Sequence, residues 1–237
     1  MYEHAMNKNS KAGKVLKARR ERGALVLEVL ERRYPELRPH LMAYDAWELL
    51  VATVLAAQCT DARVNQVTPG LFKRLPDVAA FSTVPQAELE EIIRSTGFFR
   101  NKARHLIAAA GKVVANFGGK VPDNMADLLT LDGVARKTAN VVLWGAFGKN
   151  EGLAVDTHVG RIAQRLELCD PGGPEAIERD LCAVFPRQEW GNVNHRLVSF
   201  GREVCDARSP RCPECPMLSF CPRAGVVDKK KARAGKN

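Results

Sequence analysis

Between Arg100 and Phe117 the apolar side chains Ala103, Leu106, Ile107, Ala110, Val114 and Phe117 recur at helical spacing, and nowhere does the 237-residue chain sustain the alternation of a half-buried strand. That combination restricts the chain to helices. Comparable runs cover about 24–33, 45–58, 61–75, 123–130, 136–147, 157–168, 175–185 and 191–205, and Leu89, Ile92 and Ile93 mark one more short helix. Pro35, Pro39, Pro76, Pro85, Pro122 and Gly172-Gly173-Pro174 separate these runs. The expected fold class is therefore all-α, with about ten short helices and short connections.

The hydrophobic fraction, 46%, is too high for a solvated disordered chain. The longest mostly apolar run, Trp47 to Cys59, contains Glu48 and Gln58 and falls short of the roughly 20 residues a bilayer core requires, so it is expected to be buried and no membrane is expected as a partner. Met1 to Arg22 lacks the apolar stretch of a secretory signal. A cytoplasmic location follows as an expectation, and there paired disulfides are uncommon.

A net charge of +9 suggests a polyanionic partner such as nucleic acid or an acidic membrane surface. Its distribution weakens that inference for the body. Residues 1–22 carry seven basic and two acidic side chains and residues 223–237 carry six and one, so each end holds +5 and the segment between them −1. Both ends, the second with Lys229, Lys230 and Lys231 in a row, are expected to be flexible basic tails.

Cys205, Cys212, Cys215 and Cys221 form Cys-x6-Cys-x2-Cys-x5-Cys, interleaved with Pro210, Pro213, Pro216 and Pro222. Four soft thiolates within 17 residues can close around one metal centre, because the prolines return the chain on itself. Spacing alone leaves a tetrathiolate zinc and an iron–sulfur cluster about equally plausible. Cys59, Cys169 and Cys182 stand alone and read as small buried residues.

An amphipathic turn of helix leads into Leu131-Asp132-Gly133-Val134-Ala135, and a second helix begins near Arg136. Gly133 permits a tight turn that would present amides at the second helix's start, where a phosphate oxygen can sit, although most such turns are simple helix corners. Lys137 falls in the first turn of that helix. The positive end of the helix dipole and neighbouring Arg136 both disfavour its ammonium form, which would free the amine for nucleophilic attack; a solvated surface lysine is the plain alternative. Asp156, ahead of the apolar positions Val159, Ile162, Ala163 and Leu166, is placed as an N-cap. A capped, rigid carboxylate also suits the stabilisation of positive charge or the acceptance of a proton. His158 and His195 lack metal-ligand spacing and are expected to be structural or phosphate-side residues.

A helical hairpin bearing Lys137, then Asp156, then the four cysteines, together resemble the endonuclease III family of DNA glycosylases. Ala57-Gln58-Cys59-Thr60-Asp61 resembles the family's Ser-Ala-Gln-x-Thr-Asp stretch, Gly97-Phe98-Phe99-Arg100-Asn101-Lys102-Ala103 its Gly-(Leu/Phe)-(Tyr/Phe)-x-x-Lys-Ala stretch, and Val155-Asp156-Thr157-His158 its Val-Asp-Thr-His. The likeness spans about residues 25–223. The hairpin departs from the family's Leu-Pro-Gly-Val-Gly-Arg-Lys-Thr-Ala in two places, Asp132 for proline and Ala135 for the second glycine, and Phe98 stands where leucine is frequent. An acidic Asp132 beside a phosphate site is expected to weaken DNA affinity, and Ala135 would be strained if its φ were positive.

The resemblance implies the helix-hairpin-helix DNA glycosylase fold: a six-helix lobe over 39–150 and a discontinuous lobe of 23–38 plus 151–222, with DNA bound between them. It implies a [4Fe–4S] cluster on Cys205, Cys212, Cys215 and Cys221. It also implies base excision repair of double-stranded DNA carrying damaged bases or abasic sites, by a monomer, nucleoid-associated if the source is bacterial. Lys137 would attack C1′ of a flipped oxidised pyrimidine nucleotide and cut the strand 3′ to the lesion by β-elimination, with Asp156 stabilising the cationic sugar. Gln58 and Phe98 would fill the gap left in the duplex. Gly133, Ala135 and Arg136 would hold one phosphate, while Arg208 and Arg211 would touch others. A monofunctional adenine or mismatch glycosylase and a non-catalytic DNA-binding module are the alternatives; the adenine-specific branch lacks the lysine and usually carries a further domain, whereas this chain ends 16 residues after Cys221.

Overall fold

A computed structural model of the chain describes residues 11–37 and 39–226. Among these every regular element is a helix. The chain divides into two compact units, Arg38–Ala154 and a second composed of Met1–Leu37 with Val155–Asn237.

The first unit contains α2 (Ala46–Leu55), α3 (Asp61–Arg74), α4 (Val78–Thr83), α5 (Gln86–Ile93), α6 (Phe99–Phe117), α7 (Met125–Leu128) and α8 (Arg136–Phe147). Asp45, Thr60, Asp77 and Asn124 cap α2, α3, α4 and α7, each side chain accepting a backbone N–H from the first turn of its helix. These caps fix where each short helix begins. α6 is the spine: Ala103, Leu106, Ala109, Ala110 and Val113 are fully buried, and α4 and α5 pack along it. Trp47 of α2 meets Phe81 of α4 edge to face with ring centroids 5.3 Å apart, and α2 also lies against α8. The lysine-bearing helix α8 is thereby seated on the core through Ala139, Val142 and Leu143.

In the second unit α9 (Thr157–Arg165) packs against α10 (Pro174–Val184) and α11 (Trp190–Glu203). The apolar stripe of α9, Val159, Ile162 and Ala163, is buried there. α1 (Lys11–Arg33) lies on α10 and α11 with Val26 and Leu30 fully buried.

Besides α7 and α9, which fall short of the expected 123–130 and 157–168, three elements differ from expectation. Residues 11–22, expected as part of a flexible tail, are the first half of α1. Their apolar content is low, so periodicity does not reveal them; polar contacts hold them instead. Arg19 pairs with Asp170 and Asp180, Arg20 donates to the Ala183 carbonyl at 2.9 Å, and Arg22 donates to the Leu166 carbonyl at 2.9 Å. Second, α4 was not expected, since six residues are too few to display a period. Third, α2 stops at Leu55, three residues short of the expected end, because Gln58 takes a left-handed conformation. The expected tail segments 1–10 and 227–237 lie outside the described residues; residues 223–226 do not, and Ala224 donates its amide to the Arg165 carbonyl at 3.1 Å.

Candidate active site

The turn between α7 and α8 is built around Gly133, whose φ of +75° lies in the left-handed region. Space makes a second demand for glycine: a Cβ there would stand 2.9 Å from the His105 Cβ on α6. Ala135 has a φ of −92° and extended backbone, so it carries none of the strain that a second left-handed glycine position would impose. No side chain caps α8, and Ala135, Arg136 and Lys137 are all exposed at its amino end. The amide end of the helix can therefore meet an anion arriving from outside.

Asp132 does not carry an uncompensated charge into this turn. Lys112 of α6 places its ammonium 2.8 Å from Asp132 Oδ2 and 2.8 Å from the Thr130 carbonyl. The hydrogen bond and charge of Lys112, with a smaller contribution from His105, hold the Asp132 carboxyl below the usual range. The expected repulsion between Asp132 and a phosphate is thus offset within the protein, and the pair ties the turn to α6 where the family uses proline.

Lys137 is exposed in the first turn of α8, in the unit that spans Arg38–Ala154. Asp156 belongs to the other unit, where it caps α9: its Oδ1 accepts the amides of His158 at 2.9 Å and Val159 at 2.8 Å. Both bonds fall on Oδ1, so Oδ2 has no part in the cap. His158 is half-buried with its Nδ1 3.1 Å from the Arg161 guanidinium. Burial, reinforced by Arg161 and Arg202 and opposed by Asp156, lowers its pKa and favours the neutral ring.

Gln58 and Phe98 share an unusual property. Both are non-glycine residues in left-handed backbone, φ +53° and φ +49°, and both side chains are exposed, Phe98 to 64%. Phe98 therefore stands outside the core. Left-handed backbone costs a residue with a Cβ about 1–2 kcal/mol; exposed Glu167 and Arg223 share it, so backbone alone does not assign a role, and what sets Phe98 apart is a large apolar ring left 64% exposed.

The four cysteines line one cavity together with Ile162, Leu166, Phe200, Val204 and Met217. None is in a disulfide. Burial pushes the Cys215 and Cys221 thiols up, and their neighbouring sulfurs add to the shift. A cationic centre reverses that tendency, and four soft sulfur donors on one half-buried cavity are the set that iron or zinc takes. α9 also braces this loop. Arg165 donates to the Cys205 Sγ at 3.2 Å and to the carbonyls of Asp206 and Ala207, and Arg161 donates to the Cys205 and Gly201 carbonyls. Within the loop, Asp206 Oδ1 accepts the amides of Arg208 and Ser209, leaving the side chains of Arg208 and Arg211 exposed. Sequence patterns passed over Arg161 and Arg165, although their spacing of one helical turn ahead of a cysteine cluster is a usable signal. Cys169 is buried, its thiol pushed up to about 11, while Cys59 and Cys182 are half-buried.

Residues 51–187 match the HhH-GPD superfamily of base excision DNA repair proteins. The chain is 49% identical over 207 residues to the endonuclease III of Synechocystis, covering 87% of this chain and 94% of that protein. It is 41% identical over 205 residues to the endonuclease III of Bacillus subtilis, covering 86% and 93%. Among solved structures, a non-covalent endonuclease III–DNA complex and a trapped endonuclease III–DNA covalent intermediate each superpose with a TM-score of 0.83 at 40% identity over 90% of this chain. A thermostable thymine-DNA glycosylase, 23% identical with a TM-score of 0.72, shares the fold. With the lysine-bearing hairpin, the capped aspartate and the four-cysteine loop all in place, this chain is a member of the endonuclease III family within the HhH-GPD superfamily of base excision DNA repair proteins.

Proposed function

We propose that this enzyme is a bifunctional DNA glycosylase and abasic-site lyase that removes oxidised pyrimidines from double-stranded DNA. One observation carries the reading: an exposed lysine in the first turn of an uncapped helix, directly after a glycine hairpin suited to a phosphate. The monofunctional adenine branch lacks that lysine, and a DNA-binding module has no need of it.

In the proposed mechanism the damaged nucleotide leaves the stack, with Gln58 offering an amide donor and acceptor to the orphaned base and Phe98 a flat apolar face to its neighbours. The Lys137 Nζ attacks C1′. The glycosidic bond breaks, its electron pair and a proton leave with the base, and opening of the sugar gives an iminium between Lys137 and C1′. Loss of a C2′ proton expels the 3′ phosphate oxygen by β-elimination, and water then releases the amine. Asp156 Oδ2 stabilises the cationic sugar and assists the proton transfers, while Oδ1 stays on the cap and fixes the carboxylate's position. Gly133, Ala135 and Arg136 hold one phosphate; Arg208 and Arg211 hold others.

Cys205, Cys212, Cys215 and Cys221 are proposed to carry a [4Fe–4S] cluster. All four thiols line one cavity, and the likeness to the endonuclease III family supports the cluster over a tetrathiolate zinc. Held by these four cysteines, such a cluster would order the loop bearing Arg208 and Arg211. We also place the enzyme, as a monomer, in the cytoplasm at the nucleoid.

The test is product analysis on a duplex carrying an oxidised pyrimidine such as thymine glycol. The free base, a 3′ unsaturated aldehyde and a 5′ phosphate are expected. Free base with an intact strand would indicate a monofunctional enzyme.

A further inference from the structure

Lys102 is the most deeply buried amine among the described lysines and takes no part in the chemistry above. It lies in the first turn of α6, only 4% exposed, and its Nζ donates to two backbone carbonyls, Leu55 and Thr96, each at 2.8 Å. Each acceptor ends an element. Leu55 is the last residue of α2, three before Gln58; Thr96 closes the 3-10 turn Arg94–Thr96, two before Phe98. The two chain segments that this one ammonium joins are those that carry the left-handed residues Gln58 and Phe98. The Lys102 amide itself is bonded to the Phe98 carbonyl at 3.1 Å, so the residue grips the Phe98 turn from both its main chain and its side chain.

We propose that Lys102 is a positioning residue that holds Gln58 and Phe98 in register with each other, so that both enter the duplex gap together. This rests on the reading of those two side chains as gap fillers. A helix end and a 3-10 end both leave carbonyls without helical partners, and a charged donor satisfies them more strongly than a neutral one. At 4% exposure the amine is desolvated, which lowers its pKa with only the nearby Cys59 opposing, so its bonds to the two carbonyls offset a real desolvation penalty. Finally, two left-handed turns are each prone to relax toward commoner backbone, and a shared anchor makes relaxation of one unfavourable for the other.

The test compares two single-turnover reactions: base release from an oxidised-pyrimidine duplex, and cleavage of the same duplex carrying a preformed abasic site, where no base is extruded. Wild type, Phe98→Ala, Lys102→Met and the double variant are measured. Lys102→Met keeps the length of the side chain and removes its donors. The inference expects Lys102→Met to slow base release at least about tenfold more than abasic-site cleavage, and the double variant to be no slower than the slower single variant by more than about twofold. Equal losses on both substrates, or effects that multiply in the double variant, would show a packing role independent of Phe98 and overturn the inference. If Phe98→Ala itself slows both reactions equally, the gap-filling reading falls and takes the inference with it; if Phe98→Ala is selective and Lys102→Met is not, the inference falls alone. Should Lys102→Met fail to fold, Lys102→Gln, which retains an amide donor, carries the same comparison and is held to the same selectivity.

Discussion

Replacing Gly133 with alanine separates the hairpin's two demands on one residue. At φ +75° an alanine bears about 1–2 kcal/mol of left-handed strain. Its Cβ would also stand 2.9 Å from the His105 Cβ, an atom fixed to the α6 backbone that cannot swing aside. The turn must then open or shift. If an amide of this turn bonds a phosphate, displacing it forfeits a hydrogen bond to a charged group, about 1.5–3 kcal/mol, or roughly a 10- to 150-fold loss of affinity. Fluorescence anisotropy on a duplex with a reduced abasic analogue measures that loss without turnover, and a melting curve should fall by roughly 2–8 °C from the strain alone. A Gly133→Ala enzyme that melts lower yet binds the duplex as wild type does would refute the hairpin as a phosphate contact.

Deleting residues 1–22 should lower the melting temperature, because it removes the Arg19, Arg20 and Arg22 contacts of α1; deleting 227–237 should leave melting unchanged and flatten the salt dependence of DNA binding if those lysines release counterions. Asp132 has a carboxyl depressed by Lys112, so its contribution to the turn is complete above the ordinary value of 3.8 and fades as pH falls below it; urea titrations should show this fade in wild type and not in Lys112→Met. Purified enzyme should be yellow-brown with about four irons per chain, as the cluster formula requires, and Cys212→Ser should lower the iron content; a colourless protein with one zinc would overturn the cluster proposal.

Helix type and order were legible because burial imposes a period on α6, α8, α9 and α11, and the cysteine spacing and the Val155–His158 stretch announce themselves in any context. The first half of α1 was not legible, since it is held by arginines reaching carbonyls and carboxylates more than a hundred residues away rather than by an apolar stripe. The same limit applies at the site. Asp132 reads as a liability beside a phosphate, and its neutralisation by Lys112 exists only once α6 and the hairpin are side by side. Ala135 reads as a strained substitution, and its extended backbone removes the strain. Lys102 sits in a motif visible in the sequence, but the two carbonyls that give it a purpose come from 47 residues upstream and from the adjoining turn.

Glycosylase and lyase steps share one covalent bond, between Lys137 Nζ and C1′. Borohydride reduction during turnover on an oxidised-pyrimidine duplex should trap a protein–DNA adduct, and peptide mapping should find the sugar remnant on Lys137. Lys137→Ala should abolish trapping while leaving duplex binding largely intact, because affinity rests on phosphate contacts that this amine does not make. An adduct formed at wild-type yield by Lys137→Ala, or mapped to any other amine, would contradict it.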